Sequence, residues 1–118
     1  MKAAVGASLA SIWSPPADAA QAGAALRRVF SRPESARTVG LAVLRQRAGP
    51  IAAEAVLAEL RTHRPEICQA CGVVSRGRLA SMLREAARDD FRRGCTCIVD
   101  GWLLSRTEAL VCAVIAIA

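Results

Sequence analysis

The sequence has no tyrosine, one lysine (Lys2) and one histidine (His63), and aromatic residues make up only 3% of it. An interior of stacked rings is excluded; any core must be built from Ala, Leu, Val and Ile. No apolar run reaches the roughly 18–20 residues that a membrane-spanning helix requires. No glycine-rich nucleotide loop and no Ser/His/Asp succession stands out, so the familiar signatures of nucleotide and hydrolase chemistry are missing. The cysteines number five, an odd count that argues against a fully paired disulfide framework.

What is present describes one folded domain. The chain has 118 residues, of which 53% are hydrophobic and 22% charged, too apolar for a disordered chain and long enough to bury a core without staples. The formal charge is +6, and 15 of the 16 basic residues are arginine. Arginine grips phosphates and carboxylates through a planar fork, so an anion or nucleic-acid binder is one reading. A GC-rich coding sequence, which the abundance of alanine also fits, accounts for the same excess.

The N-terminal stretch, residues 1–16, reads as flexible or signal-like. Lys2, the mildly apolar Ala3–Trp13 and the small-x-small Ala17-Asp18-Ala19 have the outline of a secretion signal; a frayed terminus is the alternative. Pro15-Pro16 is expected to break any helix there. Arg27-Arg28-Val29-Phe30 looks like a twin-arginine motif, but Ser31-Arg32-Pro33-Glu34 follows it instead of an apolar stretch, so these arginines read as a solvated helix face.

Residues 17–118 read as a single helical domain. A first helix covers Ala17–Phe30. Ser31 and Glu34 suggest a capping box for a second, Arg32–Arg47, with Ala36, Val39 and Val43 on one side. A third runs from Pro50 to His63, its stripe Ala53, Val56, Leu57 and Leu60 at helical spacing. Residues 65–75 read as a loop or short turn. The clearest helix runs from Ser75 or Gly77 to Arg93, with Leu79, Met82, Leu83 and Ala86 on its apolar face and Gly94 as its left-handed stop. Thr96–Val99 then reads as a strand, Asp100-Gly101 as a hairpin turn needing positive φ, and Trp102–Leu104 as the return. Ser105 and Glu108 form a second capping box for a final helix to Ala118. That helix is apolar all round and so belongs at the centre or against a partner. The expected fold is a small, mainly α bundle with one β-hairpin before a buried C-terminal helix.

Several residues invite a chemical reading. Cys68-x-x-Cys71 and Cys95-x-Cys97 offer four thiolates for a zinc site, although one residue between Cys95 and Cys97 is short for paired ligands. A redox pair at Cys68-x-x-Cys71 is a further alternative, but no strand precedes it, and incidental buried thiols are the plain one. His63 reads as a cation closing its helix more than as a ligand. Asp90 falls on the same stripe as Leu79, Leu83 and Ala86, so its carboxylate faces the core and needs partners: Arg93 at i+3, or backbone N–H groups of the hairpin. A general acid or base would need a second group that the sequence does not clearly supply. Trp102 is either a partner anchor or packs on the final helix. The arginines of the long helix alternate with Glu85, Asp89 and Asp90, as on a solvated ion-paired face.

The segments Asp90-Phe91 and Ile98-Val99-Asp100-Gly101-Trp102-Leu103-Leu104-Ser105-Arg106-Thr107-Glu108-Ala109-Leu110 resemble a group of small bacterial proteins ending in a DF, VDGW, LS-TE pattern and often carrying a twin-arginine export signal. Ser31–Leu44 is similar to their N-terminal half. The resemblance implies export, hence a periplasmic location, with the cytoplasm as the alternative, and implies no activity. Together these features point to a non-enzymatic accessory or protein-binding module, its partner an unidentified protein such as a larger enzyme. No cofactor is implied beyond zinc at the four cysteines. The other readings are a zinc or redox protein and an anion binder.

Overall fold

Helix ends, turns and one unusually apolar segment set the architecture. The computed structural model describes residues 14–47 and 51–118, the side chains of 14–18 excepted. In chain order these residues form α1 (Ser14–Arg27), α2 (Pro33–Gln46), α3 (Ala53–His63), α4 (Pro65–Ala70), α5 (Arg76–Arg93), the strands β1 (Thr96–Val99) and β2 (Trp102–Ser105), and α6 (Arg106–Ile117). The protein is a mainly helical bundle with one antiparallel hairpin, as its patterning implies. The signal-like stretch up to Trp13, and the Gly49-Pro50 junction, lie outside the described residues.

Helix α6 is the hub. Thr107 and every residue from Ala109 to Ile115 are buried, and α1, α2, α3, α5 and both strands pack on it. Leu26, Leu44, Val56, Leu60 and Leu79 bring the surrounding helices to the same core. Each such aliphatic side chain contributes about 1.5–3 kcal/mol when fully buried. With few large side chains to fill space, two helices approach at glycine. A Cβ on Gly40 would stand 1.9 Å from the carbonyl oxygen of Cys112, and one on Gly23 would stand 2.5 Å from the Cβ of Ala118.

Several helix boundaries differ from expectation. Helix α1 begins at Ser14 and includes Pro15-Pro16, because prolines in a first turn lose no intrahelical hydrogen bond. The Ser31–Glu34 capping box does not form. Pro33 occupies the start of α2, which moves the cap to Arg32, whose side chain makes no capping bond. Helix α3 starts at Ala53, with Ala52 extended before it. Residues 65–70 form helix α4, opened by Pro65 at its first position, where a loop or turn was expected.

The second half follows its caps closely. Ser75 accepts a hydrogen bond from the Arg78 N–H, and Gly94 closes α5 in the left-handed region. In the hairpin, Asp100 (φ 50°) and Gly101 (φ 83°) both take the positive φ that a two-residue turn demands. The strands pair Thr96 with Ser105, Cys97 with Leu104, Ile98 with Leu103 and Val99 with Trp102. Ser105 and Glu108 then form the capping box that starts α6.

Candidate functional site

Asp90 is fully buried in the last turn of α5, and its partners come from two other places in the chain. The N–H of Thr107, in the first turn of α6, donates to its Oδ2 at 2.7 Å. Arg64, between α3 and α4, donates to its Oδ1 at 2.5 Å. His63 places Nε2 2.9 Å from the same oxygen. Arg64 also donates to Asp89 (3.0 Å) and to the carbonyl of Ala86 (3.2 Å). Arg93, one of the partners expected for Asp90, turns to Asp89 at 3.2 Å. A side chain on a helix surface reaches only what faces it, and the inward carboxylate faces Arg64.

This network roots the hairpin. The Cys95 N–H donates to the Asp90 carbonyl at 2.8 Å, and the Arg106 N–H to the Cys95 carbonyl at 2.9 Å. Asp90 thus caps α6 from outside while Ser105 caps it from within, and the two strands leave the core from one fixed base. The carboxylate beside the first turn also complements the helix dipole. Sequence reasoning missed Arg64, His63 and Thr107 as a set. The signal was an inward carboxylate that needed a cation from another element.

Burial alone would push the Asp90 carboxyl up, but hydrogen bonds from Thr107 and Arg64, with His63 nearby, outweigh it and hold the group below the ordinary carboxylate range. Hydrogen bonding to Arg64 is the chief cause that lowers Asp89. A carboxylate with a lower pKa folded than unfolded adds stability above its unfolded value, about 3.9, and that contribution is lost as pH falls through the folded value. Urea unfolding followed from pH 5 downward should therefore show stability falling below about pH 4. Asp90→Asn should remove up to about 1.4 kcal/mol per pH unit of that slope. An unchanged slope in the variant would refute the assignment to Asp90.

The hairpin presents the surface. In a strand pair, residues alternate between faces. The face holding Val99, Leu104 and Trp102 lies against α2, where a cleft of about 370 Å³ is lined by Val39, Ala42, Val99, Trp102 and Leu104, with Thr38, Arg45 and Asp100. Gln46 ties α2 to this strand by donating to the Ile98 carbonyl at 2.6 Å. The opposite face carries the cross-strand pair Ile98 and Leu103, 63% and 57% exposed. Trp102 leaves 75% of its surface in solvent and lies over α2.

The remaining candidates separate. Cys68 and Cys71 line a cleft beside α1 and α3, whereas Cys97 sits near Arg106 and Glu108. Among the described residues no group of three or more His, Cys, Asp or Glu side chains is placed to hold a metal ion, so the expected four-cysteine zinc centre does not assemble. The two pairs do not converge: Cys68 and Cys71 lie at the end of α4, and Cys95 and Cys97 at the start of the hairpin. Arg88 pairs with Glu85, and Arg92 with Asp89, as an ion-paired face requires. Asp100 and Gly101 make the turn, and Ser105 and Glu108 make the cap. No protein-family model matches the chain, and no curated protein or solved structure is significantly similar to it.

Proposed function

We propose that the chain is a non-enzymatic accessory module that docks on a larger protein through the hairpin. One observation carries this reading: the hairpin is apolar and exposed on both sides, with Ile98 and Leu103 on its outward face and Trp102 on the face towards α2, where an antiparallel sheet facing water normally carries polar residues. Single exposed aliphatics are ordinary, but a cross-strand aliphatic pair on one face and a tryptophan 75% exposed on the other give this one hairpin the composition of an interaction surface. The partner's complementary face is apolar, since Arg45, the one cation at the cleft under Trp102 among the described residues, already faces Asp100 at 3.9 Å. The resemblance of Ile98–Leu110 to a group of small bacterial proteins that often carry an export signal is what favours a partner outside the cytoplasm.

Because Trp102 is mostly in solvent, Trp102→Ala should leave thermal stability nearly unchanged. It should weaken partner binding by about 2 kcal/mol, roughly thirtyfold. Affinity capture from the native source, with quantitative mass spectrometry, should enrich one dominant protein with the wild-type chain and lose it with Trp102→Ala or Leu103→Asp. Calorimetry on the purified pair then gives the affinities. Equal capture by both forms would defeat the proposal, and so would a wild-type dimer in light scattering that Leu103→Asp dissolves.

A further inference from the structure

Cys68 and Cys71 stand three residues apart and line the same cleft, of about 220 Å³, between α1, α3 and α4. Side chains at this spacing on a helical turn are about 5–6 Å apart at Cβ, so both sulfurs reach a common point. Among the described residues, Gln21, Gln69 and Arg61 are the polar side chains around them, and no imidazole or carboxylate lines the cleft.

We infer that Cys68 and Cys71 form a two-thiolate site for a soft monovalent cation of the Cu(I) class. Zn(II) takes four ligands, and this cleft offers two. Thiolates select Cu(I) among the first-row ions, and a two-coordinate ion is complete with this pair. Metal–thiolate bonds of about 2.3 Å place two opposed sulfurs about 4.6 Å apart, within the span of the helical pair.

Binding replaces two S–H bonds with two Cu–S bonds. One cation and two neutral thiols give one complex anion and two released protons, and no electron is transferred. Arg61 stands in the same cleft to balance the new negative charge. Burial pushes both thiols up, Cys71 to about 11, so at neutral pH the empty site is a pair of thiols. Thiols are poor nucleophiles, which disfavours a redox role and leaves nearly the whole proton release to metal uptake. The inference does not depend on the docking surface, which lies on the hairpin.

The test is anaerobic transfer of Cu(I) from a coloured chelate to the reduced chain. The expected result is one Cu(I) per chain, ultraviolet thiolate-to-copper absorption, release of about two protons and no change in oligomeric state. Cys68→Ser and Cys71→Ser should each weaken retention by at least about tenfold, with helical circular dichroism intact. Cys68→Ala repeats the measurement if the serine variant does not fold. The double variant Cys95→Ser/Cys97→Ser should retain the metal. The inference is overturned if the folded wild-type chain withdraws no copper, if retention follows Cys95 and Cys97, or if copper links two chains.

Discussion

Asp90→Ala is expected to cost about 3–5 kcal/mol of folding stability, the range for removing one member of a buried ion pair. Arg64, only 15% exposed, would keep Asp89 but lose its closest carboxylate. The Thr107 N–H would lose its acceptor at the start of the helix on which the fold is assembled, and an orphaned buried donor costs about 1–3 kcal/mol of that total. At roughly 3–5 °C per kcal/mol for a domain of this size, the melting temperature should fall by about 10–20 °C. Circular dichroism melts decide the matter, and a loss below about 1 kcal/mol would mean that the network is ornamental. The double variant Asp90→Leu/Arg64→Met should lose less than its two single changes added together, because it leaves no buried charge alone.

Gly40→Ala is the second large effect. The added methyl would sit 1.9 Å from the Cys112 carbonyl oxygen, 2.5 Å from its carbon and 2.8 Å from the Ala116 Cβ. Two of these three atoms are backbone of α6, so relief requires α2 to move away from the hub. Alanine favours helix over glycine by about 1 kcal/mol, yet the clash should dominate, with a net loss of about 3 kcal/mol or more. Gly77→Ala is the matched control. It too lies in a helix, with open space around its added Cβ, and should be neutral or gain up to about 1 kcal/mol. Denaturant titration of both variants separates crowding from propensity. If Gly40→Ala proved as mild as Gly77→Ala, the close approach of α2 to α6 would be wrong.

The legible parts of the fold were those written in local chemistry. Gly94, Asp100-Gly101 and the Ser105–Glu108 box each fix backbone geometry within a few residues, and each stands where the sequence places it, while the start left between Ser75 and Gly77 resolves to a Ser75 cap. The inward direction of Asp90 was readable too, because it follows from helical periodicity alone. Prolines misled in part: Pro15-Pro16 read as a break but stand in a first turn, where the missing N–H costs nothing, while Pro65 follows the end of α3 at His63 and Arg64 yet opens α4 where a loop or turn was expected. Ser31 misled for a related reason, since Pro33 moved the cap to Arg32. The partners of Asp90 were out of reach because Arg64 and Thr107 are 26 and 17 residues away in the chain, and no local rule pairs them. The exposure of Trp102 was equally hidden, for it depends on where α2 runs beneath the hairpin.

The position of the hub in the chain governs how the molecule is born. Helices α2 and α3 are complete by residue 63, while the helix that receives them spans Arg106–Ile117. At a translation rate of about 5–20 residues per second, the earlier helices wait for seconds without a seat. Assembly therefore follows synthesis instead of keeping pace with it. A nascent chain stalled before residue 106 would be a client for chaperones and proteases, with no half-built domain to protect it.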